Sequence, residues 1–142
     1  MTVVHDKYCS FILDYVRNNF AHNWLDIVSD VSDGPNPGII EVKTEIFEGK
    51  CIPDLIAQNR SVSPNLLILG EAKSYSDYYA RDTERENQLN VMINYLKKYE
   101  NSYLIYAVPT QLSRKVESNI KDKLKKFDAE NIQFKILDEI NK

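Results

Sequence analysis

Hydrophobic and polar positions along this chain switch between a helical and a strand period. Across residues 3–20, Val4, Tyr8, Phe11, Ile12, Tyr15 and Val16 recur at three- and four-residue spacing, the mark of a helix with one apolar face. A strand is expected over 24–31. Ser32-Asp33-Gly34-Pro35-Asn36-Pro37-Gly38 then holds two prolines and two glycines, a loop signal. Residues 39–47 alternate as a second strand, with Glu48-Gly49-Lys50 as a turn or bulge. A strand over 51–58 follows, then a polar loop over 59–65, then an apolar strand over 66–73 that turns polar at its end. Residues 75–82 read as a loop or a first helical turn. Leu89, Met92, Ile93 and Leu96 fall at i, i+3, i+4 and i+7 and predict a helix over 83–100. Residues 103–108 form a β-rich run stopped by Pro109. Ser113 is placed to cap a helix with the stripe Val116, Ile120, Leu124 and Phe127, and 132–137 make a last strand.

This order places an antiparallel meander ahead of crossover helices. The expected fold is α/β, with a mixed central sheet flanked by helices. The 142 residues fit one domain, 1–142. No apolar run approaches the roughly 20 residues of a membrane-spanning helix, and the N-terminal residues lack a basic start followed by an apolar stretch, so no secretory signal is expected. Cys9 and Cys51 have no metal-ligand spacing and read as reduced, buried thiols of a cytoplasmic protein. A net charge of −3 argues against a general nucleic-acid coat. It leaves room for a nuclease, whose acids are local and whose phosphate contacts need only a small basic patch. The chain has no Gly-rich phosphate loop, no Gly-x-Ser-x-Gly elbow and no His-rich metal motif.

Candidate chemistry sits at two strand ends, in Pro53-Asp54 and in Glu71-Ala72-Lys73. If both belong to one hairpin, its midpoint falls in the polar loop. Antiparallel pairing then sets Asp54 opposite Glu71, Ile56 opposite Leu69 and Gln58 opposite Leu67. Carboxylates that close repel unless a cation lies between them, and Mg²⁺ suits hard oxygen ligands. Strand alternation projects Lys73 on the same side as Glu71 and turns Ala72 away, with its carbonyl near the acids. Gly70 lets the backbone come close at the edge of the site.

These residues resemble the PD-(D/E)XK nuclease superfamily, the restriction-endonuclease-like proteins, with Pro53-Asp54 as first motif and Glu71-Ala72-Lys73 as second. The resemblance covers about 5–108 and implies an αβββαβ core, here followed by a C-terminal helix and strand. It implies a Mg²⁺- or Mn²⁺-dependent phosphodiesterase cleaving DNA or RNA, with DNA favoured over RNA and an endonuclease over an exonuclease, acting as a homodimer or in a larger assembly. Asp54, Glu71 and the Ala72 carbonyl would hold the metal, Lys73 would position water, and Gln88 would help position water or phosphate. RecB-like members place a tyrosine four residues after that glutamine, where this chain has Met92, so no branch is assigned. Many members carry an acid on the first helix; Asp6 and Asp14 are the candidates, with His5 beside Asp6.

Around this set, Tyr75, Tyr78, Tyr79, Arg81 and Arg85 are candidates for stacking on bases and contacting backbone. Arg114, Lys115, Lys121, Lys123, Lys125 and Lys126 give the last helix a cationic face, for phosphates or simply for solvent. His22 has no partner at useful spacing. The alternative reading is a catalytically inactive module of the same fold that binds nucleic acid or a protein partner, and a toxin or defence domain would use the same chemistry.

Overall fold

The computed structural model describes residues 3–20, 25–31, 36–61 and 63–142. His22, Trp24, most of the loop expected at 32–38 and one residue of the loop at 59–65 lie outside the described residues. The elements in chain order are α1 (Val3–Asn19), β1 (Leu25–Ser29), β2 (Ile40–Lys43), β3 (Glu48–Cys51), β4 (Leu55–Asn59), β5 (Leu66–Ala72), α2 (Tyr75–Ala80), α3 (Asp82–Leu96), β6 (Asn101–Ala107), α4 (Ser113–Lys126) and β7 (Gln133–Leu137). Five strands form a central sheet in the order β1-β4-β5-β6-β7, and β2 and β3 form a separate hairpin. The pairs β1–β4 and β4–β5 are antiparallel, whereas β5–β6 and β6–β7 are parallel. The fold is therefore mixed α/β, with helices on both faces of a mixed sheet.

The sheet divides two apolar layers. Residues Leu66, Ile68 and Ala72 of β5 pack with Ile12 and Val16 of α1, while Leu67 and Leu69 pack with Met92 and Ile93 of α3 and Ile120 of α4. The continuous apolar run of β5 follows from this position: a central strand covered on both faces buries every side chain. α3 is itself covered twice, by the sheet and by the β2–β3 hairpin, so Val91 is buried beside the predicted stripe Leu89, Met92, Ile93 and Leu96. Gly49 of the hairpin lies so close to α3 that a Cβ there would meet Val91 Cγ2 at 2.8 Å.

Several expectations are corrected. Glu48-Gly49-Lys50 is strand β3, not a turn; the chain turns earlier, where Thr44 bonds Phe47 through backbone and hydroxyl. Pro53-Asp54 lies in the link before β4 rather than inside a strand over 51–58. Of the two readings of 75–82, loop or helical turn, the helical one holds over Tyr75–Ala80, where Ser74 Oγ accepts the Asp77 N–H at 3.2 Å and caps α2. Ser113 does not cap α4. Leu112 holds that position, and Ser113 Oγ donates to Asp138 Oδ2 at 2.6 Å. Val4 of the expected α1 stripe is exposed, and Cys9 and Leu13 take core positions instead.

Candidate functional site

The β4–β5 register is the one predicted from the hairpin midpoint, with Ile56 opposite Leu69 and Gln58 opposite Leu67. The ladder ends at Leu55–Gly70, and Asp54 stands one step beyond it. Its N–H still donates to the Gly70 carbonyl at 3.0 Å, and its Oδ2 accepts the Ala72 N–H at 2.8 Å. A side chain thus continues the ladder where the backbone stops. Glu71 points from β5 to the same place, and both acids are buried. The next residue on that face, Lys73, reaches α3, where Nζ donates to Gln88 Oε1 at 2.9 Å. Asp54, Glu71, Lys73 and Gln88 therefore converge. The Ala72 amide is the group that engages Asp54, and the Gly70 approach serves α1 packing: a Cβ would meet Ile12 Cγ2 at 2.7 Å.

Two further side chains arrive from other elements. His5, from the first turn of α1, places Nε2 3.3 Å from Asp54 Oδ2. Asp30, just past β1, donates its N–H to the Asp54 carbonyl at 3.1 Å, and its carboxyl interacts with that of Asp54. Asp6 is not the α1 residue that reaches Asp54; its Oδ1 is buried with no hydrogen-bond partner. Asp14 lines a different cleft with Phe11, Tyr15 and Lys135.

Charge is costly here. Burial first, and Asp54 second, push Glu71 well above the usual carboxylate range. Its Oε2 is buried without a hydrogen-bond partner. Burial also pushes Asp54 up, but hydrogen bonds from Glu71, His5, Asp30 and the Ala72 N–H outweigh it and hold Asp54 below its ordinary value. Asp30 is raised to about 6 by burial and by Asp54, and His5 is raised chiefly by its hydrogen bond to Asp54. The two carboxyls are thus pushed apart, Asp54 towards the ionised form and Glu71 towards the neutral one, as expected of two close carboxyls without a cation. Cys9 lies behind His5, Sγ 3.5 Å from Nδ1. The Cys9–His5–Asp54 line is not a nucleophilic triad, because burial raises the thiol pKa and Cys9 is 2% exposed.

No protein-family model matches this chain, and no curated protein or solved structure is significantly similar to it.

A cleft of about 560 Å³ is lined by His5 and Lys73, which neighbour the acids, and by Asp77, Arg81, Glu84 and Arg85. Of the aromatic and basic candidates at its mouth, Tyr78 is buried and cannot stack on a base. Arg85 covers the Tyr78 ring at 3.8 Å, bonds the Tyr78 carbonyl and pairs with Asp82 at 2.9 Å, which makes it a brace of α2 on α3. Tyr75 and Tyr79 are exposed, and Lys115 Nζ sits 4.8 Å over the Tyr79 ring. Arg81 is exposed and weakly paired with Glu84. On α4, Lys121 pairs with Glu117 at 2.8 Å and Lys123 turns to Glu86 at 3.9 Å, so the helix does not present its six cations as one free face. His5 and Asp30 were the members least visible in sequence. Each joins Asp54 from a separate element, and the one signal for His5 was its place at the start of α1.

Proposed function

We propose that this protein is a metal-dependent nuclease of the PD-(D/E)XK type, hydrolysing phosphodiester bonds of nucleic acid, DNA before RNA. The observation that carries the reading is the buried Asp54–Glu71 pair at the open end of one hairpin, with Lys73 held beside it by Gln88. The central sheet adds support: β1, β4 and β5 run antiparallel, a helical segment follows, and β6 returns parallel to β5. This matches the αβββαβ order of the resemblance, with β2–β3 as an insertion between its first two strands.

The site fits a divalent cation on its own chemistry. Glu71 Oε2 is an orphaned buried oxygen beside the Asp54 carboxylate, and a cation would let both hard-oxygen groups ionise together. Asp54 and Glu71 would hold Mg²⁺ or Mn²⁺, with the Ala72 carbonyl as the third ligand implied by the resemblance. When bound, such an ion supplies Lewis-acid polarisation of a phosphoryl oxygen.

The chain's own groups supply the rest. Gln88 Oε1 accepts one Lys73 N–H and leaves the others for the attacking water or the charge that develops on phosphate. His5 donates to Asp54 and keeps that carboxylate ionised and oriented. Arg81 lines the cleft with its side chain exposed and draws a phosphate backbone inward, while Arg85 is held as the brace of α2 on α3.

Cleavage of plasmid and oligonucleotide substrates with Mg²⁺ or Mn²⁺ tests the assignment. Asp54→Asn and Lys73→Ala are each expected to lower the rate by about 10²–10³-fold. Equal rates in the wild type and both variants would overturn it.

A further inference from the structure

We propose that His5, Cys9 and Asp54 form a site for a thiophilic divalent cation, Zn²⁺ first among them, which draws Asp54 away from its pairing with Glu71. His5 and Cys9 are four residues apart on α1 and so share a helix face. His5 Nε2 lies 3.9 Å from Cys9 Sγ and 3.3 Å from Asp54 Oδ2, and the three ligand atoms all lie within 4.8 Å of one another. Zn²⁺ bonds of about 2.0–2.3 Å in a tetrahedron set neighbouring ligand atoms roughly 3.3–3.8 Å apart, so the His5–Asp54 separation already matches and the cluster closes on an ion by drawing Cys9 Sγ inward. His5 also lines the cleft, which offers an entry path and a fourth position for water.

The donor set separates this site from the acid pair. Imidazole and thiolate suit Zn²⁺ and Co²⁺, whereas Mg²⁺ prefers carboxylate, carbonyl and water. On binding, the Cys9 S–H proton leaves to solvent and the sulfur lone pair forms the metal bond, with no redox change. Cys9 is a buried thiol beside a histidine and a carboxylate. The predicted consequence, inhibition of cleavage by Zn²⁺, rests on the nuclease reading; the site itself does not.

The probe is Co²⁺ added to the reduced, chelator-treated full chain. A thiolate-to-cobalt charge-transfer absorption in the near ultraviolet is expected to saturate at about one equivalent. Zn²⁺ should abolish it stoichiometrically, and excess Mg²⁺ should leave it. Cys9→Ser and His5→Gln should lose the absorption, whereas Cys51→Ser and Glu71→Gln should keep it. Circular dichroism verifies that each variant is folded, and His5→Gln, outside the apolar core, keeps the test sound if Cys9→Ser misfolds. Absence of the band in the wild type, or its persistence in folded Cys9→Ser or His5→Gln, would overturn the site. A band without any cleavage in Mg²⁺ retains the site and sinks the nuclease; cleavage without a band does the reverse.

Discussion

Glu71 opposes the stability of the fold that holds it. Its carboxyl is buried against Asp54 with one oxygen unpartnered and is pushed towards its neutral form there, an arrangement that costs stability rather than adding to it. Glu71→Gln is expected to stabilise the metal-free protein by about 0.5–2 kcal/mol, as measured by urea unfolding in chelator, and under the proposed nuclease function to abolish cleavage. The pH dependence follows with a definite sign. Glu71 is raised in the folded state, and Asp30 is raised from 3.8 to about 6. The folded protein therefore binds more protons than the unfolded chain across and above the carboxylate range, and stability falls as pH rises through it. Asp54 runs the other way, but its contribution is lost only in acid below its usual value. In chelator, the unfolding free energy should be lower at about pH 8 than at about pH 5, and the decline should shrink in Glu71→Gln. A flat profile in the wild type would contradict this account.

Among the elements, α1 and β5 approach closely at Gly70. An added Cβ would lie 2.7 Å from Ile12 Cγ2 and 3.1 Å from Leu55 Cβ, and Ile12 is fully buried, so neither neighbour can swing clear. Gly70→Ala is expected to cost about 1–3 kcal/mol by overpacking. Ile12→Ala removes that Cγ2, so in the Gly70→Ala background it should cost less than it does alone, a non-additive pair measurable by thermal unfolding. Additive losses would show that the strain lies elsewhere. Strand and helix signals were legible where one rule dominated. The stripe of α3 and the apolar run of β5 reported their burial directly. β3 was misread because Glu48-Gly49-Lys50 carries the residue types of a turn, yet its strand is short and Gly49 is dictated by the approach of Val91. Ser113 looked like a cap because local chemistry cannot reveal a carboxylate arriving from Asp138, 25 residues away.

For the molecule as a whole, the helical layers and the β4–β5 register could be read from the chain, and the strand order of the sheet could not. That register needs only a midpoint, whereas placing β1 beside β4 and β7 beside β6 requires contacts between distant segments. The site divides the same way. Asp54, Glu71 and Lys73 come from one hairpin and were foreseeable together; His5 and Asp30 come from α1 and the end of β1, and only the closed fold brings them to Asp54. This division bears on how the chain folds. The connection between β4 and β5 is short, and the Asn59 side chain pins it by accepting the N–H groups of Asn65 and Leu66. Such a local hairpin closes early, at small entropic cost. It then juxtaposes two acids before the histidine of α1 has docked, a like-charge encounter on the route to the native state. Millimolar Mg²⁺ should therefore speed refolding relative to chelator in stopped-flow dilution from urea, and Glu71→Gln should remove the difference. Identical wild-type rates in the two conditions would place that encounter after the rate-limiting barrier.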